Sequence, residues 1–268
     1  MKNSVLSILG TLVILAASLS FSQEDKNMEY RQFNKFSSEY AQLAEIDPAK
    51  KYIQYPEALR LLGDVGKTLD IGCGNGTFTR MLARRGAKVF AYDPARKIVE
   101  EALQEGREEK LGIEYSVAMR LDESRYGKFD KAVSTMVLLY ATNLEELRNI
   151  FSDAFLALKP GGIFVSITFN PNYKSFGKVA NNRRITKTPD RRIHFNFLDK
   201  NGKTAMSSTA SNFSVSDFET AAREAGFKKI EWVKLEVTSE GREAMGNAYW
   251  EGFDNDPSYI GLVVSRND

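Results

Sequence analysis

Between Leu69 and Arg80 the chain reads LDIGCGNGTFTR, a short apolar run, then an acid, then Gly72, Gly74 and Gly76 at alternate positions. An apolar strand that runs into such a turn and then into a helix makes a ligand site at the carboxyl end of a sheet. Bare glycines let a ligand approach the backbone, and the helix start offers N–H groups that lack intrahelical partners. The dinucleotide pattern G-x-G-x-x-G would put its third glycine where Thr77 stands, and the phosphate-clamping pattern with its lysine is absent. The ligand therefore need not carry phosphate. Asp70, two residues before the first glycine, would repel a pyrophosphate and attract an ammonium group. Asp93 ends a second apolar run, KVFAYD, where a carboxylate can accept hydrogen bonds from ribose hydroxyls.

These residues need a frame, and the alternation of patterns predicts one. Strands are expected at Lys67–Ile71, Lys88–Tyr92, Ile113–Val117, Asp130–Ser134 and Ile163–Phe169. Helices are expected at Pro56–Leu62, near Phe78–Arg85, from Pro94 through Leu103, and at Leu144–Leu158, the last closed by Lys159-Pro160-Gly161-Gly162. Strand–helix units of this kind build a parallel sheet with helices on both faces. Residues 170–212 break the rhythm and read as one hairpin around Asn201-Gly202. A helix follows at Val215–Ala225, with Ser214 or Ser216 as its cap, then strands at Lys229–Val237 and Tyr259–Ser265. With no helix read between those two strands, one should be antiparallel, near the edge of the sheet. The expected fold is thus α/β, a Rossmann-like three-layer sandwich on a seven-stranded, mostly parallel sheet.

The composition excludes several classes. The 37 Lys+Arg nearly balance 35 Asp+Glu in 268 residues, so nothing suggests nucleic acid as a partner. Cys73 and His194 are the only cysteine and histidine, which leaves no internal disulfide and no evident metal-ligand set. The start, MKNSVLSILGTLVILAASLSFSQ, has one lysine, an apolar stretch and small residues, the layout of a signal peptide over 1–22. It would direct the chain to export. An uncleaved anchor is the second reading, and would be the chain's only contact with a membrane; translation from Met28, leaving the chain cytoplasmic, is the third. Residues 23–268 read as a single domain, with 29–62 as a helical cap carrying an aromatic stripe of Tyr30, Phe33, Phe36 and Tyr40.

An amine, a ribose and no phosphate describe S-adenosylmethionine. The sequence resembles the class I S-adenosylmethionine-dependent methyltransferases in LDIGCGNG, AYD, YGKFDKAVS and LKPGGIFVSI, in family order, over about Phe33 to Phe169. AGFKKIEWVKLEV and YIGLVVSR resemble that family's last two strands, and FNKFSSEYAQL its aromatic capping helix. The resemblance implies that the loop of Gly72, Cys73, Gly74, Asn75 and Gly76 lies against the methionine part. It puts Asp70 near the amine, Asp93 on the ribose and Tyr40 in the cap. Cys73 reads as a small packing residue. Family members often carry an acid after the third strand; Met119 stands there instead, to act through its backbone and apolar side chain, and Asp122 comes three residues late.

Methyl transfer from a sulfonium is an in-line displacement in which alignment is the main contribution. The expected acceptor is a small molecule with an O, N or C nucleophile. If it must lose a proton, His194 is the side chain whose ordinary pKa suits a general base, and it lies in the 170–212 segment, the acceptor side. Arg183, Arg184, Arg191 and Arg192 in that segment read either as a basic acceptor lid or as a solvated face. Tyr249, Trp250 and Phe253 read as acceptor contacts or as packing. The rival readings are a catalytically silent, exported binding module and a nicotinamide-dependent oxidoreductase.

Overall fold

The computed structural model describes residues 47–199 and 201–267. The expected leader and the aromatic stripe, Tyr40 included, lie outside the described residues. From Pro48 the chain is helical, through a π-helical turn at Lys50–Gln54 into α1 (Tyr55–Leu62). Pro56 has no N–H to give to the carbonyl one turn back. That carbonyl, on Tyr52, instead accepts from the Thr238 backbone N–H at 2.9 Å. The proline thus frees a group that fastens the entering helix to a distant segment. Gly63, at φ 62°, ends α1.

Next come β1 (Lys67–Ile71), α2 (Thr77–Arg84), β2 (Lys88–Asp93), α3 (Arg96–Glu108), β3 (Glu114–Val117), β4 (Phe129–Thr135), α4 (Leu144–Ala157) and β5 (Leu158–Phe169). Four strands follow: β6 (Val179–Ala180), β7 (Arg183–Lys187), β8 (Arg192–Leu198) and β9 (Thr204–Ser211). The chain closes with α5 (Val215–Glu224), β10 (Lys229–Val233), α6 (Ser239–Met245), α7 (Asn247–Asn255) and β11 (Tyr259–Ser265). Among the described residues the main sheet has seven strands, in the order β10-β11-β5-β4-β1-β2-β3. Only β11 runs against its neighbours, second from the edge, as the closing strands predict. Side chains alternate between two cores. Val133, Val165 and Ile167 pack with α1 and Trp250, while Ala132 and Phe164 pack with Phe151 of α4 and Phe218 of α5. Both faces are covered, which is why these strands read as nearly continuous apolar runs.

Several expectations need correction. Lys159–Gly162 does not close a helix but begins β5. Gly161 N–H donates to Arg266 and Arg266 N–H donates to Gly162, at 2.7 and 2.9 Å, so the glycine pair is part of a ladder. The 170–212 segment is a four-stranded antiparallel sheet, β6-β7-β8-β9, not one hairpin. The missed turn is Asn181-Asn182, both left-handed at φ 51° and 57°, a conformation that asparagine tolerates and two-residue hairpins require. Between β10 and β11 stand two helices where none was expected. Thr238 caps the first by accepting from Gly241 N–H at 3.1 Å.

One buried ion pair ties three of these parts together. Arg183 of β7, 6% exposed, bonds Asp47 at the helical entrance and the hydroxyl of Tyr259 in β11. Removing one member of a buried pair leaves the other charge uncompensated. Arg183→Ala should therefore cost about 3 kcal/mol in denaturant unfolding. Adding Asp47→Asn to Arg183→Met should recover part of that loss, because the orphaned charge goes as well.

Candidate functional site

Parallel pairing sets Asp70 beside Ala91 and Ile71 beside Tyr92, so the two acid-bearing strand ends lie side by side. The turn between β1 and α2 is then held by its neighbour. The Tyr92 carbonyl accepts from Gly72 N–H at 2.8 Å and from Cys73 N–H at 3.1 Å. The Asp93 carboxylate accepts from Gly74 N–H at 3.1 Å and from Ala95 N–H at 2.8 Å. That second bond also explains why α3 starts at Arg96, beyond Pro94. Gly76 N–H donates to the Cys73 carbonyl at 3.0 Å. These loop donors are spent inside the protein, so the turn is not an anion cradle, in agreement with the missing phosphate motif.

The three glycines have different reasons. A Cβ on Gly72 would stand 2.5 Å from Val137 Cγ2, and one on Gly76 would stand 2.6 Å from the Tyr115 hydroxyl. Those two positions are closed by the protein's own packing. At Gly74, φ 53°, the nearest atom to an added Cβ is Ile98 Cγ2 at 4.0 Å. Gly74 is the position where the backbone is left open to a ligand. Val137, which the sequence reading missed, is what presses on the loop from the end of β4. It follows Met136, a non-glycine residue at φ 58°, a strained conformation of the kind found at functional sites.

Asp70 is 1% exposed and accepts from Thr79 Oγ1 of α2 at 2.6 Å. Burial, with Asp93 as a lesser cause, raises its pKa to about 7 against the Thr79 bond. Burial likewise raises Asp93 to about 6, against its two backbone bonds. The buried Asp70 and the half-buried Asp93 favour a cation beside them. Each oxygen of Asp93 takes one backbone donor, and a carboxylate offers about four acceptor sites, so room remains for hydroxyl donors. With Gly74 left open, the residues present fit an ammonium-bearing nucleoside such as S-adenosylmethionine.

The remaining candidates separate. Cys73 is buried, its thiol raised well above the ordinary value by that burial, as a packing residue should be. Asn75 is also buried, and its side chain accepts from Thr77 Oγ1 at 3.0 Å, turned to the first turn of α2. Met119 follows β3 two residues after Val117, which pairs with Asp93, and is 42% exposed. Asp122 caps a short 3-10 turn by accepting from Ser124 N–H at 2.9 Å.

The small sheet divides by face. Ile193 and Phe195 join a cluster with Leu139 and Phe169, against which Phe197, Met136 and Tyr140 pack. His194 alternates to the opposite face, where Nδ1 meets Thr209 Oγ1 at 2.9 Å. It is not gathered with the two acids. The arginines also split: Arg191 pairs with Asp217, whereas Arg183 is buried on Asp47. Trp250 and Phe253 are packing residues, Trp250 Nε1 donating to the Gly241 carbonyl at 2.9 Å.

Residues 68–162 match the methyltransferase domain family. Among curated proteins, the ubiquinone biosynthesis O-methyltransferase of Nitrobacter winogradskyi is 28% identical over 166 residues, covering 55% of this chain. The chain spans 62% of that relative's length. Among solved structures, an S-adenosylmethionine-dependent methyltransferase from Mesorhizobium loti matches with TM-score 0.57 at 22% identity, over 83% of this chain and 99% of the other. The [4+2]-cyclase SpnF matches with TM-score 0.58 at 17% identity, over 90% and 97%. Likenesses this distant speak for the fold alone, and a cyclase among them shows that one fold serves more than one chemistry.

The glycines provide a direct test. Gly72→Ala combines left-handed backbone with a collision and should cost about 3 kcal/mol of stability; Val137→Ala in the same chain should return part of it. Gly74→Ala should cost about 1 kcal/mol, and its larger effect should be a loss of S-adenosylmethionine affinity of at least tenfold by calorimetry.

Proposed function

We propose that this chain, whose residues 68–162 match the methyltransferase domain family, is a class I S-adenosylmethionine-dependent enzyme that transfers a methyl group to an O, N or C nucleophile of a small molecule. The observation that carries the reading is the pair of acids with raised pKa values, the buried Asp70 and the half-buried Asp93, beside the open backbone of Gly74. When bound, S-adenosylmethionine supplies a methyl on a positively charged sulfur, already activated for displacement. Asp70 offers its carboxylate to the amine and Asp93 offers its oxygens to the ribose. The backbone at Gly74 admits the amino-acid part, and Met119 gives an apolar surface to the base. The residues at the end of β4, Met136 to Tyr140, with the small sheet behind them, form the wall against which an acceptor is aligned. Alignment is the chief contribution of such a site. Relatives described as O-methyltransferases favour oxygen as the accepting atom. His194 has no part in this reading, because it faces the other side of β8. Residues 1–22 act as an export leader in the same proposal.

Calorimetry decides the cofactor. S-adenosylmethionine should bind with micromolar affinity, at least tenfold weaker in Asp93→Ala, or about 1.4 kcal/mol, and NADH should not bind. Binding of NADH alone would move the reading to an oxidoreductase.

The acids also set a pH dependence. Their raised pKa values mean that the folded protein binds more protons than the unfolded chain between about 4 and 7, so stability falls as pH rises through that window. A cationic ligand needs the ionised forms. Affinity for S-adenosylmethionine should therefore strengthen several-fold from pH 5.5 to 7.5, and Asp70→Asn should flatten the upper part of that rise. A pH-independent affinity in the unaltered protein would remove the acids from the site.

A further inference from the structure

Asp153 lies in α4 and is 1% exposed, although no chemistry described so far uses it. Its carboxylate is saturated by donors from two other elements. Oδ2 accepts from the Tyr92 hydroxyl at 2.8 Å and from Leu121 N–H at 2.9 Å. Oδ1 accepts from Arg120 through Nε at 2.8 Å and Nη2 at 2.7 Å. A buried carboxylate is tolerable when paired in this way.

The partners are what give the network its meaning. Tyr92 immediately precedes Asp93, and its carbonyl is the group that holds Gly72 and Cys73. Arg120 and Leu121 immediately follow Met119. One buried carboxylate therefore locks the end of β2, beneath the ribose acid, to the segment after β3 that would face the base. Ala118 N–H adds a direct link, donating to the Asp93 carbonyl at 3.2 Å. Burial beside Asp153 pushes the Tyr92 phenol well above its ordinary value, so it stays a donor at any working pH. Asn143 caps α4 by accepting from Glu146 N–H at 2.9 Å, and Leu147, Phe151 and Ala154 seat the helix on the core. The carboxylate thus rests on a rigid support.

We propose that Asp153 is a positioning residue for the adenosine half of the cofactor, setting the distance between the Asp93 ribose contact and the Met119 wall. The proposal rests on the methyltransferase reading above. It separates Asp153 from Asp70, which would serve the amino-acid half.

The test uses two ligands that share adenosine but differ at the other end. S-adenosylhomocysteine carries the amino acid, and 5′-methylthioadenosine lacks it. Asp153→Asn keeps the shape but replaces one acceptor oxygen with a donor facing donors. It should weaken both ligands by a similar factor of at least tenfold, whereas Asp70→Asn should weaken only S-adenosylhomocysteine. Tyr92→Phe, which removes a single donor, should weaken both several-fold and decides the matter should Asp153→Asn fail to fold. A purely structural Asp153 would lower the melting temperature and leave both dissociation constants unchanged in the folded variants, which would overturn the proposal. So would a loss confined to S-adenosylhomocysteine. Wild-type protein that bound neither ligand would overturn the methyltransferase reading itself, and this inference with it.

Discussion

The site depends on the Tyr92 carbonyl, which accepts two consecutive N–H groups of the glycine turn. A turn between a strand and a helix ordinarily points its free donors at a ligand, and an anion is the natural guest. Here the neighbouring strand takes Gly72 and Cys73, and the Asp93 side chain takes Gly74. The turn is held without any ligand, and its polarity is reversed: the groups left seeking a partner are carboxylates. A turn already held in place beside two acids binds a cation with little reordering. The same arrangement explains why both acids titrate high. Burial raises them, and a bound cation would favour the ionised form.

Around that turn the molecule uses freed backbone groups as fasteners. Pro56 cannot donate to the Tyr52 carbonyl, and Thr238 takes its place. The helical entrance is thereby joined to the segment leading into α6, while Arg183 joins the same entrance to the small sheet and to β11. The parts that close over the carboxyl end of the sheet are remote in sequence. They meet through a few polar links set in apolar packing, such as Trp250 against Tyr52 at 6.4 Å. Loops and additions at this end of a doubly wound sheet are where such folds vary their chemistry.

Much of the frame was legible because it obeys local rules. KTLDI and KVFAYD are short apolar runs with an acid at or near the end, and Gly63 and Gly226 stop helices as glycines do. The capping box of Ser214 with Asp217 could likewise be sought in the sequence. What escaped was of two kinds. The Asn181-Asn182 turn was readable from its residue types but was overlooked. Lys159–Gly162 was misread because a Pro-Gly-Gly run looks like a turn, and only pairing with Arg266 makes it a strand.

The sequence by itself determined the alternation of strands and helices from β1 to β5, the glycine turn between β1 and α2, and the two acids at strand ends. Each of these is written in neighbouring residues, through hydrophobic period and backbone allowance. The tertiary structure decided which glycine faces a ligand and which two face Val137 and Tyr115. It decided that His194 turns to Thr209 on the face opposite Ile193 and Phe195, and that Asp153 reaches Tyr92 and Arg120. Those contacts join residues tens of positions apart, and no local pattern records them. Whether a carboxylate is desolvated, or a side chain points in or out of a site, depends on what the rest of the chain packs against it.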